Sequence, residues 1–167
     1  MGIKPTPPSS LASRLRRTLN NQGIELRPML RDDVSSVRAL LRSLNGLAIE
    51  PWETEELMQE ALTLHPELSI VAIASNSNQI VGAAFFGSTG LRAKFQHLGV
   101  AAEYQGKGIG HAMVETVIET FRKRSGVRRI VCLVYTSNKA ALEFWQKAGF
   151  RLYSDLQGTV AMLSRDL

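Results

Sequence analysis

Between residues 91 and 135 the sequence runs from a strand pattern, "LRAKFQHLGV", through "AAEYQGKGIG" into a helical stretch, and then into "RRIVCLVY". Two strands separated by one helix cannot close as a hairpin. They need a crossover connection and therefore lie parallel. The second strand is a near-continuous β-branched and apolar run, the pattern of a strand buried on both faces. The helix between them carries Ile109, Met113, Val117 and Phe121 at helical spacing, with Gly126 as its stop. The chain must build its sheet around this unit.

The flanking text supplies antiparallel neighbours. "LSIVAIAS" and "QIVGAAFFGS", separated by "NSN", read as a hairpin, and the strand after "TG" extends it to a meander. Ahead of these, "IELRP" is a strand stopped by Pro28. Asp32 or Asp33 then caps a helix with Val34, Val37, Leu40, Leu41 and Leu44 at helical spacing, ended by Gly46. "PWETEELMQEALTL" reads as a helix from Pro51, its Glu53, Glu55 and Glu56 placed for the helix dipole, with an acidic cluster that faces a cleft and attracts a cationic amine as the alternative. "NKAALEFWQKAGF" runs from Asn138 as N-cap to Gly149 as C-terminal stop, and "TVAMLSRDL" is a last strand. The expected fold is mixed α/β: a mostly antiparallel sheet of six or seven strands, a parallel central pair, and helices on both faces.

A chain of 167 residues makes one ordinary domain. Residues 1–22 contain no acid and three prolines among the first eight residues, so they read as a poorly ordered extension ahead of a domain spanning 23–167. A transit-peptide composition, a myristoylation pattern in "MGIKPT" and an arginine contact to an acidic surface are alternatives for that segment. The net charge of +5 favours an anionic ligand. "RKRSGVRR" lacks interleaved aromatics, so it reads as a surface patch, and neither nucleic acid nor a metal ion is expected as a partner. The one cysteine, Cys132, excludes an intrachain disulfide and suits a buried thiol in a reducing compartment, which makes the cytoplasm the expected location. No run of 18 apolar residues is present, so no membrane span is expected.

Gly106, Gly108 and Gly110 alternate directly before the crossover helix. Glycine-rich turns between strand and helix bind phosphate, because exposed amides converge there and the helix dipole adds positive charge. A dinucleotide fingerprint would need glycine where His111 stands, and no Gly-Lys-Ser/Thr follows, so NAD and ATP are disfavoured. The turn instead matches Gln/Arg-x-x-Gly-x-Gly/Ala through Gln105, Gly108 and Gly110. With "NKAALEFWQKAGF" some thirty residues on, and the same order of elements from Ile24 to the end, the chain resembles the GNAT superfamily of acetyl-CoA-dependent N-acetyltransferases.

That resemblance implies acetyl-CoA as cosubstrate. It implies that the parallel strands splay apart and that the backbone of Leu98, Gly99 and Val100 binds the pantetheine arm like an added strand. The amides of Gln105, Gly106, Lys107, Gly108, Ile109 and Gly110 would hold the pyrophosphate, with Lys107 adding charge, and Asn138, Ala141 and Trp145 would lie along the cofactor. The same amides near Leu98 would polarise the thioester carbonyl.

The expected chemistry is direct attack of an amine on a thioester. A lysine-like amine costs about 4.6 kcal/mol to deprotonate at pH 7, whereas releasing a thiol leaving group as thiolate costs about 2 kcal/mol, so a base matters more than an acid. The family's usual acid, a tyrosine four residues before the Gly-Phe pair, is Trp145 here, whose indole cannot act as one. Tyr104 and Tyr135 are other phenols, each with a structural role in a turn and in a buried strand. Strand alternation puts Phe95, His97 and Gly99 on one face and Gln96, Leu98 and Val100 on the other. His97 is the neutral-pH base in this strand, or else a hydrogen-bonded histidine under a helix. His65 and His111 read as structural. The expected reaction moves acetyl to a primary amine of a small molecule. The alternatives are a protein N-terminus or lysine, or a non-catalytic acyl-CoA-binding module. The C-terminal edge strands leave a homodimer open.

Overall fold

In the computed structural model, described over residues 10–88, 92–123, 127–152 and 160–166, the elements run α1 (Leu11–Asn21), β1 (Ile24–Pro28), α2 (Val34–Arg42), α3 (Glu55–Leu64), β2 (Ile70–Ala74), β3 (Gln79–Ser88), β4 (Arg92–Val100), α4 (Ile109–Arg122), β5 (Arg129–Tyr135), α5 (Lys139–Lys147), β6 (Arg151–Leu152) and β7 (Val160–Asp166). The seven strands form one sheet in the order β1-β2-β3-β4-β5-β7-β6. All neighbours are antiparallel except β4 and β5, the pair joined through α4. The crossover expected from the sequence is therefore present. The stop expected at Gly126 and the "TG" turn at residues 89 and 90 lie outside the described residues.

Each sheet face carries its own core. On one side the sheet meets α1, α4 and α5 through Ile70, Ala72, Phe86, Phe95, Ile130 and Cys132, and the predicted face of α4 is fully inserted there. On the other side α2 and α3 pack Val34, Val37, Leu41, Met58 and Leu62 onto Val71, Ile73, Ala83 and Phe85. Gly99 lets α2 come close: a Cβ there would run into the side chains of Leu44 and Leu41.

Three boundaries differ from the sequence reading, the first being α2, which stops at Arg42 instead of running to Gly46. Part of the segment expected as a loose extension forms α1, which Ser10 caps by accepting from the Ser13 amide. Its Ala12 and Leu19 are buried and Arg16 pairs with Glu119 of α4. Arg14, Arg16 and Arg17 lie on the polar side of this amphipathic helix. The helix expected from Pro51 begins instead at Glu55, because Thr54 accepts from the Leu57 amide and so fixes the N-cap.

The root of α2 is clamped by charge. Asp33 takes the Arg27 guanidinium in two bonds of 2.6 and 2.9 Å and accepts from the Leu30 amide at 2.7 Å. It therefore holds the short turn ahead of α2, where the sequence suggested a direct cap. The Arg27 hydrogen bonds pull the Asp33 carboxyl below its ordinary value.

Candidate active site

β4 and β5 pair only from Arg92 with Arg129 to Phe95 with Cys132. Beyond that point β5 stays with β7 up to Tyr135, while β4 continues to Val100 against β3. A bulge explains the parting. Phe85 pairs with His97 and Phe86 with Phe95, so Gln96 is an extra residue in β4, directly after the last parallel pair. Bulges bend and twist their strand, and this one turns β4 away from β5. The β5-facing backbone between Gln96 and Val100 is left without a sheet neighbour. A cleft of about 970 Å³ runs through the gap.

The bulge also corrects the expected alternation. Phe95 does not share a face with His97. It lies in the core under α4 and α5, as do the half-buried Leu98 and Val100, whereas His97 stacks on Phe85 and Gly99 faces α2 on the opposite side. One inserted residue reverses the side chains upstream of it relative to those downstream.

At one end of the cleft stands the glycine turn. Gly106 (φ 76°) and Gly108 (φ 82°) are left-handed, and a Cβ on either would meet nothing within 4 Å. The glycines are required by backbone conformation, and they leave the space in front of the turn open. Among the described residues, the amides of Gly106, Lys107, Gly108, Ile109 and Gly110 donate to no other backbone group, and the N-cap Gly108 has no capping side chain. The Gln105 amide, expected among the open ones, instead donates to the Ala102 carbonyl at 3.2 Å as the preceding turn closes, and its side chain donates to the Val100 carbonyl at 2.9 Å, tying the turn to the end of β4. Lys107 Nζ lies 4.7 Å from the Tyr104 ring centroid, a cation–π contact that keeps the ammonium beside the turn. Open amides, a helix N-terminus and a held cation together suit a phosphate.

The wall from α5 differs in detail from expectation. Asn138 caps α5 by accepting from the Ala141 amide and donates Nδ2 to the Gly46 carbonyl at 3.4 Å, linking the two sides of the cleft. Trp145 is buried among Phe95, Phe144 and Phe150, with ring centroids 4.8 to 5.2 Å away, and it reaches the cleft wall from within this cluster. Phe144 is half-buried and faces Gly110, where a Cβ would come within 3.1 Å of its ring. Cys132 lines the cleft, but burial pushes its thiol pKa well up, which makes it inert as a nucleophile.

On the α2–α3 side, His97 is buried and its Nε2 lies 2.6 Å from Glu53 Oε1. Glu53 is not in the first turn of α3 and does not serve its dipole. Its Oε2 accepts from the Glu50 amide at 2.8 Å, its own amide donates to the Glu50 carbonyl at 3.0 Å, and its carbonyl accepts from Arg38 Nε at 3.0 Å. Arg38 also pairs with Glu55. Glu53 is thus fixed at both backbone and side chain. A carboxylate only accepts, so Nε2 of His97 is the donor in this contact. His97 is hydrogen-bonded beneath the α2–α3 layer and also lines the cleft.

Other cleft residues were assigned structural roles by sequence. Tyr135 is 44% exposed on the face of β5 away from its core and lines the cleft with Leu133, and His111 also lines it. His65 is structural, its Nε2 3.2 Å from the Ser88 carbonyl. Among the described residues no group of three or more His, Cys, Asp or Glu is placed to hold a metal ion, and no helix is long and apolar enough to cross a membrane.

Residues 36–150, which span α2 through α5, match the model of the Acetyltransferase (GNAT) family. The chain belongs to that family. It is 27% identical over 145 residues to an acetyltransferase of Sodalis glossinidius, covering 86% of this chain and 96% of the relative. Its fold is similar to Ard1 from Thermoplasma volcanium, with a TM-score of 0.72, 20% identity, and 87% and 98% of the two chains covered. It is also similar to Arabidopsis thaliana Naa50 in complex with a bisubstrate analogue, with a TM-score of 0.70, 20% identity, and 87% and 99% covered. As a GNAT protein the chain is an acetyl-CoA-dependent acetyltransferase. The open amides of the glycine turn and the unpaired edge of β4 are donors of the kind that a pyrophosphate and an amide-bearing arm require.

Proposed function

We propose that the protein acetylates the α-amine of a peptide or protein N-terminus, with His97 and Glu53 taking the proton. The observation that carries this reading is the 2.6 Å contact between His97 and Glu53 in the same cleft as the glycine turn. Acetyl-CoA supplies the activated acetyl thioester. The amides from Gly106 to Gly110 would bind its pyrophosphate, and the free backbone edge at Leu98, Gly99 and Val100 would bind its arm, beside Asn138, Ala141 and Trp145. As the amine attacks, Nδ1 of His97 gains a proton, and the Glu53 carboxylate stabilises the resulting imidazolium while holding the ring in place.

Two arguments favour an α-amine over the small-molecule amine expected from sequence. Deprotonating an α-amine at pH 7 costs about 1 kcal/mol, against about 4.6 kcal/mol for a lysine-like amine, so one imidazole–carboxylate pair suffices for the first. Naa50, of similar fold, was captured with an analogue joining CoA to a peptide. Release of CoA from acetyl-CoA, followed against free amines, lysine peptides and peptides with a free N-terminus, tests the reading. Acetylation confined to the peptide α-amine is the expected result. Turnover with free amines alone would reject it.

A further inference from the structure

Three of the large apolar side chains exposed on this protein open onto the same cleft. Trp52 is 66% exposed, Leu133 50% and Tyr135 44%, and all three line the cleft that holds His97 and Glu53. Their exposure has a cause in the chain path. Along β5, Ile130, Cys132 and Val134 point into the core under α4 and α5, so Leu133 and Tyr135 occupy the opposite face. That is the face α2 and α3 cover further along the sheet, over β2 and β3. Over β5 their cover stops. The α2–α3 connection instead brings Trp52 to the cleft, one residue ahead of the pinned Glu53. Three large apolar groups are thereby left in water in the cleft that also holds His97 and Glu53, an arrangement that contributes nothing to the packed core and suits a ligand that covers them.

The charges in the same wall define which end of that ligand comes here. Glu50 and Glu53 line the cleft beside Trp52, and a cationic amine is drawn to carboxylates at close range. An amine at His97 and Glu53 therefore carries its nearest substituent towards Trp52, Leu133 and Tyr135. We infer that these three residues form a subsite for the side chain next to the acceptor amine and that they select a large apolar one. The inference rests on the peptide reading above and names the substrates within it: chains that begin with a residue such as Met, Leu or Phe.

The test measures kcat/KM for peptides identical except at the first residue, with Leu, Met, Phe, Ala, Ser, Asp and Lys compared on the full-length protein. Burying one such side chain in a pocket discriminates by about tenfold or more, so Leu, Met and Phe should exceed Ala and Ser by at least about that factor. Trp52→Ala and Leu133→Ser should shrink the ratio to about threefold or less, while acetyl-CoA still raises the melting temperature of both variants. Both positions are exposed, so loss of fold does not explain such a result. Equal rates for all first residues, or a preference that survives both substitutions, overturns the subsite. A set of free amines separates this from failure of the peptide reading. If only free amines are acetylated, and apolar ones outrun polar ones, the subsite stands and the peptide assignment falls. If they are acetylated without preference, both fall.

Discussion

The two ends of the cleft are built from different material. The glycine-turn end is made of backbone: amides of a short segment, an unpaired strand edge and a helix N-terminus, within the stretch from Leu98 to Gly110. The acceptor end is made of side chains, and its central contact joins residues 44 positions apart, Glu53 and His97. A backbone-built site must spend glycines where φ is positive, so it marks the sequence locally. A side-chain-built site uses ordinary residues whose roles depend on where the fold delivers them, and it leaves no local mark.

If that division holds, damage to one end should spare the other. The largest effect is expected for Gly108→Glu, which forces a left-handed residue and puts a carboxylate into the space in front of the turn. Acetyl-CoA binding, measured by calorimetry, should weaken by more than about 100-fold. Retained affinity would end the phosphate assignment. Next is His97→Ala, which should lower kcat by about 100-fold near neutral pH with cosubstrate affinity kept. The deficit should narrow as pH rises past about 8, where an α-amine loses its proton unaided. Glu53→Gln and Arg38→Gln act through His97 and Glu53 respectively, so each should lower kcat less and leave acetyl-CoA affinity in place. A variant on this side that loses kcat and acetyl-CoA affinity together would show that the two ends are one unit.

Trp145 belongs to the packed core and reaches the cleft wall from within it. Its ring is buried among three phenylalanines, so Trp145→Ala opens a cavity expected to cost about 3 kcal/mol or more in unfolding free energy. The sequence motif pointed to a residue along the cofactor. The packing makes the loss of stability the larger effect, readable by denaturant titration.

The fold was legible because its signals are periodic or obligatory. The crossover from β4 to β5, the buried face of α4 and the caps at Asn138 and Gly149 each follow from spacing or from a residue type the backbone requires. The missed features share a different origin. The Gln96 bulge has no residue signature, yet it parts the strands and places His97 opposite Phe95. Thr54 offered a cap, and reading it would have moved Glu53 out of the helix, but only the return of the α2–α3 connection towards β4 could reveal its partner. Exposure of Tyr135 was hidden for a related reason: "RRIVCLVY" reads as buried on both faces, and nothing in it tells that α2 and α3 stop short of β5.

The smallest expected effect concerns how the acceptor end is held. Arg38 reaches Glu53 from α2, and the root of α2 is clamped by Asp33 to Arg27 and to the Leu30 amide. Because the Arg27 hydrogen bonds lower the Asp33 pKa in the folded protein, Asp33 stabilises the fold wherever it is ionised in both states. Its contribution is complete above the ordinary aspartate value near 3.9 and disappears as pH falls through the lower folded value. Asp33→Asn should therefore cost about 2 kcal/mol at pH 7, the scale of a hydrogen bond to a charged group. Wild type and variant should converge in denaturant midpoint only in acid below the ordinary range. A gap that persists unchanged there would mean Asp33 acts through packing and not through its charge. At neutral pH the variant should also lose kcat before it loses acetyl-CoA affinity, since Arg38 of α2 holds Glu53, whereas the glycine turn is built onto α4.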